Sequence, residues 1–386
     1  MLLQDKQIAI IGGGPGGLTM ARLLQLKGAR VKVFERDLNR HARVQGSPLD
    51  LHEESGLKAI IQAGLLQQFK ASFMAGADRE LITNPLAEIF YSDHAGKPEE
   101  NFGDKHFRPE IDRGTLRKLL LDSLEPETVL WDRQFLTMTE QGEGWDLHFR
   151  NGTSAYADLV VAADGANSKV RPYITDIKPF YSGILMLEGN VSDAQDKAPN
   201  LHALLAGGKI MAFGDKKNLL IGQKGNGEVG FYASFKADEN WTKDSGLDYS
   251  NHAEMLDWFK REYAEWSPVW YELFENAELP YIPRPIYCMP LDQTWQSMPN
   301  VTMLGDAAHV MPPFAGEGVN MAMLDALELS EHLTSQKYRN FHEAIGVYEH
   351  DMRKRAAIMA KESLNNGELM HSEGALTSMV SFFKGS

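Results

Sequence analysis

Cysteine is the scarcest residue of this chain, with Cys288 alone among 386 positions. One thiol forms no internal disulfide and supports neither a zinc site nor a redox pair, so a reducing cytoplasm is the expected home. Lysine and arginine form no run, and the net charge of −14 disfavours nucleic acid or an anionic membrane as a partner. No stretch approaches about 18 uninterrupted apolar residues, so no membrane span is expected. Residues 1–11 lack the basic start and small-residue cleavage site of a signal peptide. A Ser-His-Asp set, a metal-ligand cluster and a repeat of roughly 20–50 residues are also missing, and neither a catalytic side chain nor a metal is expected.

What is present describes an ordinary globular chain. Hydrophobic residues make up 43% and charged residues 24%, which excludes a disordered or fibrous class. At roughly 100–200 residues per domain, the length suggests two or three domains.

The apolar run Ile8-Ala9-Ile10-Ile11 leads directly into Gly12-Gly13-Gly14-Pro15-Gly16-Gly17 and then Leu18 to Leu24, which reads as strand, turn and helix. Gly12, Gly14 and Gly17 have the G-x-G-x-x-G spacing, with one glycine for the tight turn, one for backbone approach to a pyrophosphate and one for helix-strand packing. A helix N-terminus faces such phosphates with unpaired N–H groups. After Gly28 a second strand, Ala29–Phe34, ends in Glu35, placed to accept from both hydroxyls of an adenosine ribose. The polar and basic run from Arg36 to Arg43 is expected to line something anionic.

Further along, helical spacing is expected over Glu54–Phe69 and in the segment from Pro109 to Leu121. A strand or hairpin excursion fills 75–107, and strands are expected at Thr128–Trp131, Phe135–Glu140, Trp145–Phe149 and Ala157–Ala163. From Ile174 to Pro290 short strands dominate, at Ile184–Val191, Lys209–Phe213, Asn218–Gln223 and Gly230–Phe235, with one helix near Ala253–Trp266. Val301–Leu304 is a further strand. Phe341 to Met370 carries helical spacing, long enough at about 1.5 Å per residue to cross two domains, and the tail beyond His371 is expected to fray.

Three separated motifs, Gly12-x-Gly14-x-x-Gly17 with Glu35, Asp164-Gly165-x-x-Ser168-x-x-Arg171, and Gly305-Asp306 with Pro312-Pro313-x-x-Gly316-x-Gly318-x-Asn320, together resemble the fingerprints of group A flavin monooxygenases. The resemblance is closest to the TetX-type tetracycline-inactivating flavin monooxygenases, through Glu35-Arg36-Asp37, Leu49-Asp50-Leu51-His52, Pro109-Glu110-Ile111-x-Arg113 and Gly305 to Asn320. It implies an α/β fold: a Rossmann-like FAD domain of aromatic hydroxylase type, a mostly antiparallel β-sheet substrate domain and a long C-terminal bridging helix. The FAD domain is expected over 1–74, 108–174 and 291–335, the substrate domain over 75–107 and 175–290, and the bridging helix over 336–386.

By the same likeness Glu35 binds the FAD ribose beside Arg36, Arg113 contacts the diphosphate-ribityl region, and Asp306 binds the ribityl chain. Asp164 belongs to the cofactor set. Backbone of Gly316, Gly318, Val319 and Asn320 holds the isoalloxazine, while Asp50 and Arg43 match positions near the flavin and the nicotinamide donor. No second glycine fingerprint serves NADPH, which is expected as a transient reductant. The implied activity is hydroxylation of a polycyclic or phenolic compound by O2 through a flavin C4a-hydroperoxide, with tetracyclines the leading substrate and antibiotic resistance the implied role. Another aromatic or heteroatom substrate, or a non-catalytic flavin-containing ligand-binding protein, are the alternatives. A monomer is expected.

At the family's substrate positions the sequence departs, with Glu188 in place of glutamine, Lys209 in place of arginine and Gly230 in place of histidine. Loss of a hydrogen-bonding contact costs about 1–3 kcal/mol in affinity. Pro313, Phe314, Asn366 and Met370 are the other expected pocket residues, and Met211 with Phe213 an apolar wall.

Overall fold

The computed structural model describes residues 2–41, 48–104 and 106–385. Five parallel strands form the first sheet, in the order Val301–Met303, Leu159–Ala162, Gln7–Ile11, Arg30–Phe34 and Val129–Leu130. Ile8 to Ile11 and Leu159 to Ala162 are buried along their whole length, which is what a parallel sheet covered on both faces requires. A three-stranded antiparallel sheet, Phe135–Gln141, Gly144–Phe149 and Ser154–Ala157, packs its Phe135, Trp145 and Phe149 into the same core.

The second sheet has seven strands, ordered Ile282–Cys288, Phe180–Val191, Val229–Lys236, Lys217–Gln223, Lys209–Gly214, Glu80–Thr83 and Ile89–Ser92. The excursion at 75–107 therefore supplies two of its strands. All pairs are antiparallel except Lys209–Gly214 with Glu80–Thr83. Alternation divides the sheet into two faces. Leu185, Leu187, Ile210, Ala212, Leu219, Ile221, Phe231 and Ala233 pack against an aromatic layer that includes Trp258, Phe259, Trp270 and Phe274. Their neighbours in sequence point the other way, toward the first domain's loops. Cys288 ends the edge strand fully buried, and burial pushes its thiol up to about 11.

The helix Phe341–Met370 runs for 30 residues, about 45 Å at the ordinary rise. Asn340 caps it, its side-chain oxygen accepting from the Glu343 N–H at 2.9 Å. Its first half buries Ile345, Tyr348 and Met352 beneath the parallel sheet, and the Tyr348 hydroxyl donates to the Met303 carbonyl at 3.1 Å. Met370 at its far end sits with Ile82 and Phe213 of the second sheet. One helix thus fastens both sheets.

Four expectations need correction. The segment from Pro109 to Leu121 is not one helix: Glu110–Ile111 is a strand paired with Leu49–Asp50, and the helix Arg113–Asp122 begins only after the Asp112 cap. The segment over 54–69 is two helices, Gly56–Gln62 and Leu66–Lys70, separated at Gly64, which adopts φ +73°. The tail beyond His371 does not fray: Ala375–Lys384 is a helix, and Leu376, Met379, Val380 and Phe383 pack around Ile82 and Phe213. Those four residues have i, i+3, i+4, i+7 spacing, which outweighs their terminal position. Finally, the second domain contains helices Pro199–Leu205 and Tyr271–Asn276 and the strand Ile282–Cys288, none of them anticipated. Among the described residues no helix is long and apolar enough to cross a membrane.

Candidate flavin and substrate site

The glycine turn is shaped by three close approaches. Gly12 has φ +109°, and a Cβ there would lie 2.3 Å from the Ala163 carbonyl oxygen; one at Gly17 would lie 2.1 Å from the Gly12 oxygen. Gly16 lets the helix Pro15–Leu26 pack on the helix Gly318–Thr334, since a Cβ there would be 3.0 Å from the Ala322 oxygen. Gly14 is different. It begins the first helix without a side-chain cap, and nothing lies within 4 Å of where its Cβ would be. The helix N-terminus therefore opens on free space with unpaired donors.

Glu35, only 2% exposed, braces this turn: one carboxylate oxygen accepts from the Gly13 N–H at 2.6 Å and the other from the Asp37 N–H at 3.0 Å. Each oxygen keeps a second lone pair. Arg36 is exposed beside it, and Arg43 lies outside the described residues. Arg117, which the sequence reading passed over, is buried and ties the turn to the basic segment through Asp37 at 2.9 Å and the Arg40 carbonyl at 3.2 Å. Its position four residues after Arg113, on the same helix face, was the available signal. Arg113 begins that helix, exposed, after the Asp112 cap.

Asp164 accepts from the Lys169 N–H at 2.8 Å, and its other oxygen is buried with no partner among the described residues. Arg171 stitches this loop to the next motif, donating to the carbonyls of Ala166 at 2.8 Å, Asp306 at 2.9 Å and Ala307 at 2.7 Å. Asp306 itself is exposed at the turn, yet the protein packed around its carboxyl raises its pKa above the ordinary carboxylate range, against the charges of His309, Arg113 and Arg171. Behind it the buried Asp325 accepts from the Gly305 N–H, His309 and Arg355, so three charged groups fix the strand-to-helix turn.

The loop Pro312–Glu317 then turns through Gly316, at φ +70°, into the helix Gly318–Thr334, whose start has no side-chain cap. Nothing lies within 4 Å of a Cβ built at Gly318. Asn320 is fully buried and saturated: its oxygen accepts from the N–H of His52 at 2.9 Å and of Gly56 at 3.3 Å, and its nitrogen donates to the carbonyls of Asp50 at 3.0 Å and Gly316 at 3.2 Å. Its side chain is scaffold, while the backbone N–H groups of Gly318, Val319 and Asn320, in the first turn of the helix, are the open donors.

His52 was also missed. Its Nδ1 lies 3.0 Å from Glu317 and its Nε2 2.9 Å from Asp50. Burial alone would lower its pKa, but hydrogen bonds to both carboxylates raise it to about 9. Asp50, with the opposite balance, is held below the usual carboxylate range by His52 and Lys209 despite burial. Opposite Asp50 on the paired strand stands Glu110, hydrogen-bonded to Lys209, which also lies 3.8 Å from Glu80. Burial pushes Glu80 and Glu110 each up to about 7, with Lys209 opposing.

Strand register places the predicted substrate residues on one face of the second sheet. Glu80, Lys209, Gly222, Gly230 and Asn190 form one cross-strand row; Ile82, Met211, Leu220, Tyr232 and Glu188 form the next; Phe213, Asn218, Ser234 and Met186 a third. Glu188 lies three strands from Met211, about 14 Å at the usual spacing, and is hydrogen-bonded to Arg284. Lys209 is engaged by Glu110, and Phe213, 1% exposed, fills the apolar cluster with Met370. Phe314 joins that cluster from the glycine loop, with Pro313 exposed before it.

Asn366 serves the loop, donating to the Phe314 carbonyl at 3.1 Å, as Ser363 does to that of Pro312 at 2.5 Å. A second missed histidine, His371, donates from Nδ1 to the Gly367 carbonyl and accepts at Nε2 from Ser234 and Asn218; burial lowers its pKa and keeps it neutral. Both histidines bond partners far away in the chain, beyond the reach of local spacing.

Two uncapped helix starts, each with an open glycine, an exposed Asp306 and the Glu35-braced turn fit a dinucleotide that carries a polyol chain and a polar ring system. A parallel five-stranded sheet joined to a mixed seven-stranded one is an architecture of aromatic hydroxylase type. Residues 5–206 and 293–363 match the family described as FAD binding domain, and the chain belongs to this family of FAD-dependent monooxygenases. The relative named Monooxygenase asqM of Emericella nidulans is 31% identical, over 85% of this chain and 84% of its own length. The 6-hydroxynicotinate 3-monooxygenase of Pseudomonas fluorescens is 26% identical over 96% and 93%. In fold the chain is similar to Klebsiella pneumoniae HpxO complexed with FAD and uric acid (TM-score 0.77, 20% identity, covering 100% and 94%). It is also similar to tetracycline destructase Tet(51) (TM-score 0.72, 16% identity, covering 98% and 94%). The protein is an FAD enzyme of a class that uses NADPH and O2.

Proposed function

We propose that this enzyme hydroxylates a polycyclic or phenolic aromatic compound held between the glycine loop and the inner face of the seven-stranded sheet, with tetracyclines the first class to test. The observation that carries this reading is Phe314: two residues before Gly316, it packs in one apolar cluster with Met211 and Leu220 of the sheet. An aromatic substrate resting there would lie beside the loop proposed to hold the flavin ring. When bound, FAD supplies the electron transfer to O2 and the oxygen insertion.

The chain's own residues hold the reactants. Uncapped N–H groups at Gly318 and Val319 are the proposed donors to the ring, where they stabilise negative charge on its reduced form. Gly14 and the first helix receive the diphosphate, Asp306 the ribityl hydroxyls and Glu35 the ribose. On the sheet, Lys209 and Glu80 border the apolar centre on one side and Glu188 with Arg284 on the other, so a substrate with a flat apolar body and polar edges suits it.

A second reading, a smaller monocyclic substrate, is favoured by the ring chemistry named for the 6-hydroxynicotinate 3-monooxygenase relative and by the altered positions Glu188, Lys209 and Gly230. NADPH oxidation by the FAD-loaded enzyme, with mass spectrometry of products across tetracyclines, phenols and hydroxypyridines, separates the two. A gain of one oxygen on tetracycline supports the first reading. Substrate-dependent NADPH oxidation with oxygen gained only by a monocyclic compound overturns it.

A further inference from the structure

We propose that His52, bonded at once to Asp50 and to Glu317 of the glycine loop, is the positioning residue that holds this loop in the shape that receives FAD. The inference rests on the reading of Gly316–Asn320 as the ring-binding loop.

Two ties fasten that loop to residues 50–56. The neutral one is Asn320, with its four hydrogen bonds. The charged one is His52, at 3.0 Å from Glu317 and 2.9 Å from Asp50. A neutral imidazole carries one N–H and donates to one carboxylate; only the imidazolium donates to both. Nothing else pairs the Glu317 carboxylate among the described residues, since its second oxygen is buried without a partner. Asp50 also lies next to the loop, since a Cβ at Gly316 would be 3.4 Å from both its carboxylate oxygens. If His52 lost its second N–H, two carboxylates beside Gly316 would keep one donor between them.

The other charges facing this group are known. Lys209 and Arg108 act on Asp50, Glu110 stands across the ladder, and Glu80 lies beyond Lys209. Glu80 and Glu110 titrate near neutrality, and Lys209 is raised further above its ordinary range by its carboxylates. Between pH 8 and 10 the group that changes charge in this network is therefore His52, about 9.

The test is the dissociation constant of FAD from refilled apoprotein, read by flavin fluorescence from pH 7 to 10, for wild type, His52→Gln, His52→Ala and Gly318→Ala. Wild type is expected to weaken about tenfold across a midpoint near 9, the scale of one charge-assisted hydrogen bond. His52→Ala binds about tenfold more weakly at pH 7. His52→Gln, which donates without titrating, falls between them with a flatter profile; ionisation of the flavin itself is common to all four proteins and cancels in the ratios. Circular dichroism verifies folding, and should His52→Ala not fold, the profile of His52→Gln decides. A Gln variant with the wild-type profile, or a folded Ala variant with wild-type affinity, overturns the inference. Gly318→Ala places a methyl in space that the protein leaves open. If it leaves FAD affinity unchanged, the ring-loop reading and the inference both fall; if it weakens FAD while the His52 variants do not, the role of His52 alone falls.

Discussion

At the scale of single residues, two glycines of the same turn do different work, and substitution tells them apart. Gly12→Ala forces a side chain into φ +109° and to within 2.3 Å of a carbonyl oxygen. It should destabilise the fold by about 1–3 kcal/mol, measured by urea unfolding of the apoprotein. Gly14→Ala meets no protein atom within 4 Å, so apoprotein stability should stay near wild type while FAD affinity falls at least tenfold in a fluorescence titration. Equal FAD affinity in the Gly14 variant would mean that the first helix does not receive the diphosphate. The turn was legible in the sequence because its constraint is local: strand, spacing and helix lie within twenty residues. The ion pairs were not. Lys209 bonds a carboxylate 99 positions away and His52 one 265 positions away, and no local pattern marks either partner.

Secondary elements were read well where periodicity was long. The helix Phe341–Met370 has the limits its spacing predicts, because an apolar stripe sustained over about eight turns fits neither a strand nor a loop. The short final helix was misread, although four apolar residues at helical spacing were visible. Its packing gives a prediction at this scale. Removing residues 373–386 uncovers Ile82, Phe213 and Phe314, and at roughly 1.5–3 kcal/mol for a fully buried apolar side chain we expect a loss of about 2–4 kcal/mol in chemical denaturation. Flavin absorbance of the purified protein should persist, since Gly14 and Gly318 lie outside that cluster. Unchanged stability would show that the helix contributes no packing energy.

Across the whole molecule, buried ionisable groups set the direction of pH dependence. Burial raises Glu80 and Glu110 to about 7, and paired carboxylates raise His52 to about 9. Each binds its proton more tightly folded than unfolded, so the stability it contributes is complete below its unfolded pKa and is lost as pH rises through the folded value. His371 and His94, lowered by burial, work the other way, but only below about pH 6.5. Asp50 and Asp325, held low by their partners, lose their contribution only in acid. The urea midpoint of the apoprotein should therefore be higher at pH 6 than at pH 9. A midpoint that rises over that interval would refute the assignment. The division into a parallel and a mostly antiparallel sheet was legible from the sequence, whereas the strand order, the edge strand Ile282–Cys288 and the inner face of the seven-stranded sheet became visible only through strand register.

The burial of Cys288 has a consequence for the lifetime of such an enzyme. A flavoprotein that activates oxygen leaks peroxide, and thiolates are oxidised first where they are exposed. Here the lone thiol is protonated and inaccessible, so neither sulfenic acid formation nor disulfide-linked dimers should limit the working catalyst. The vulnerable sulfurs are thioethers, foremost Met211, half-buried on the face proposed to receive substrate. Wear during turnover should then register as methionine sulfoxide, damage that a thiol reductant does not reverse.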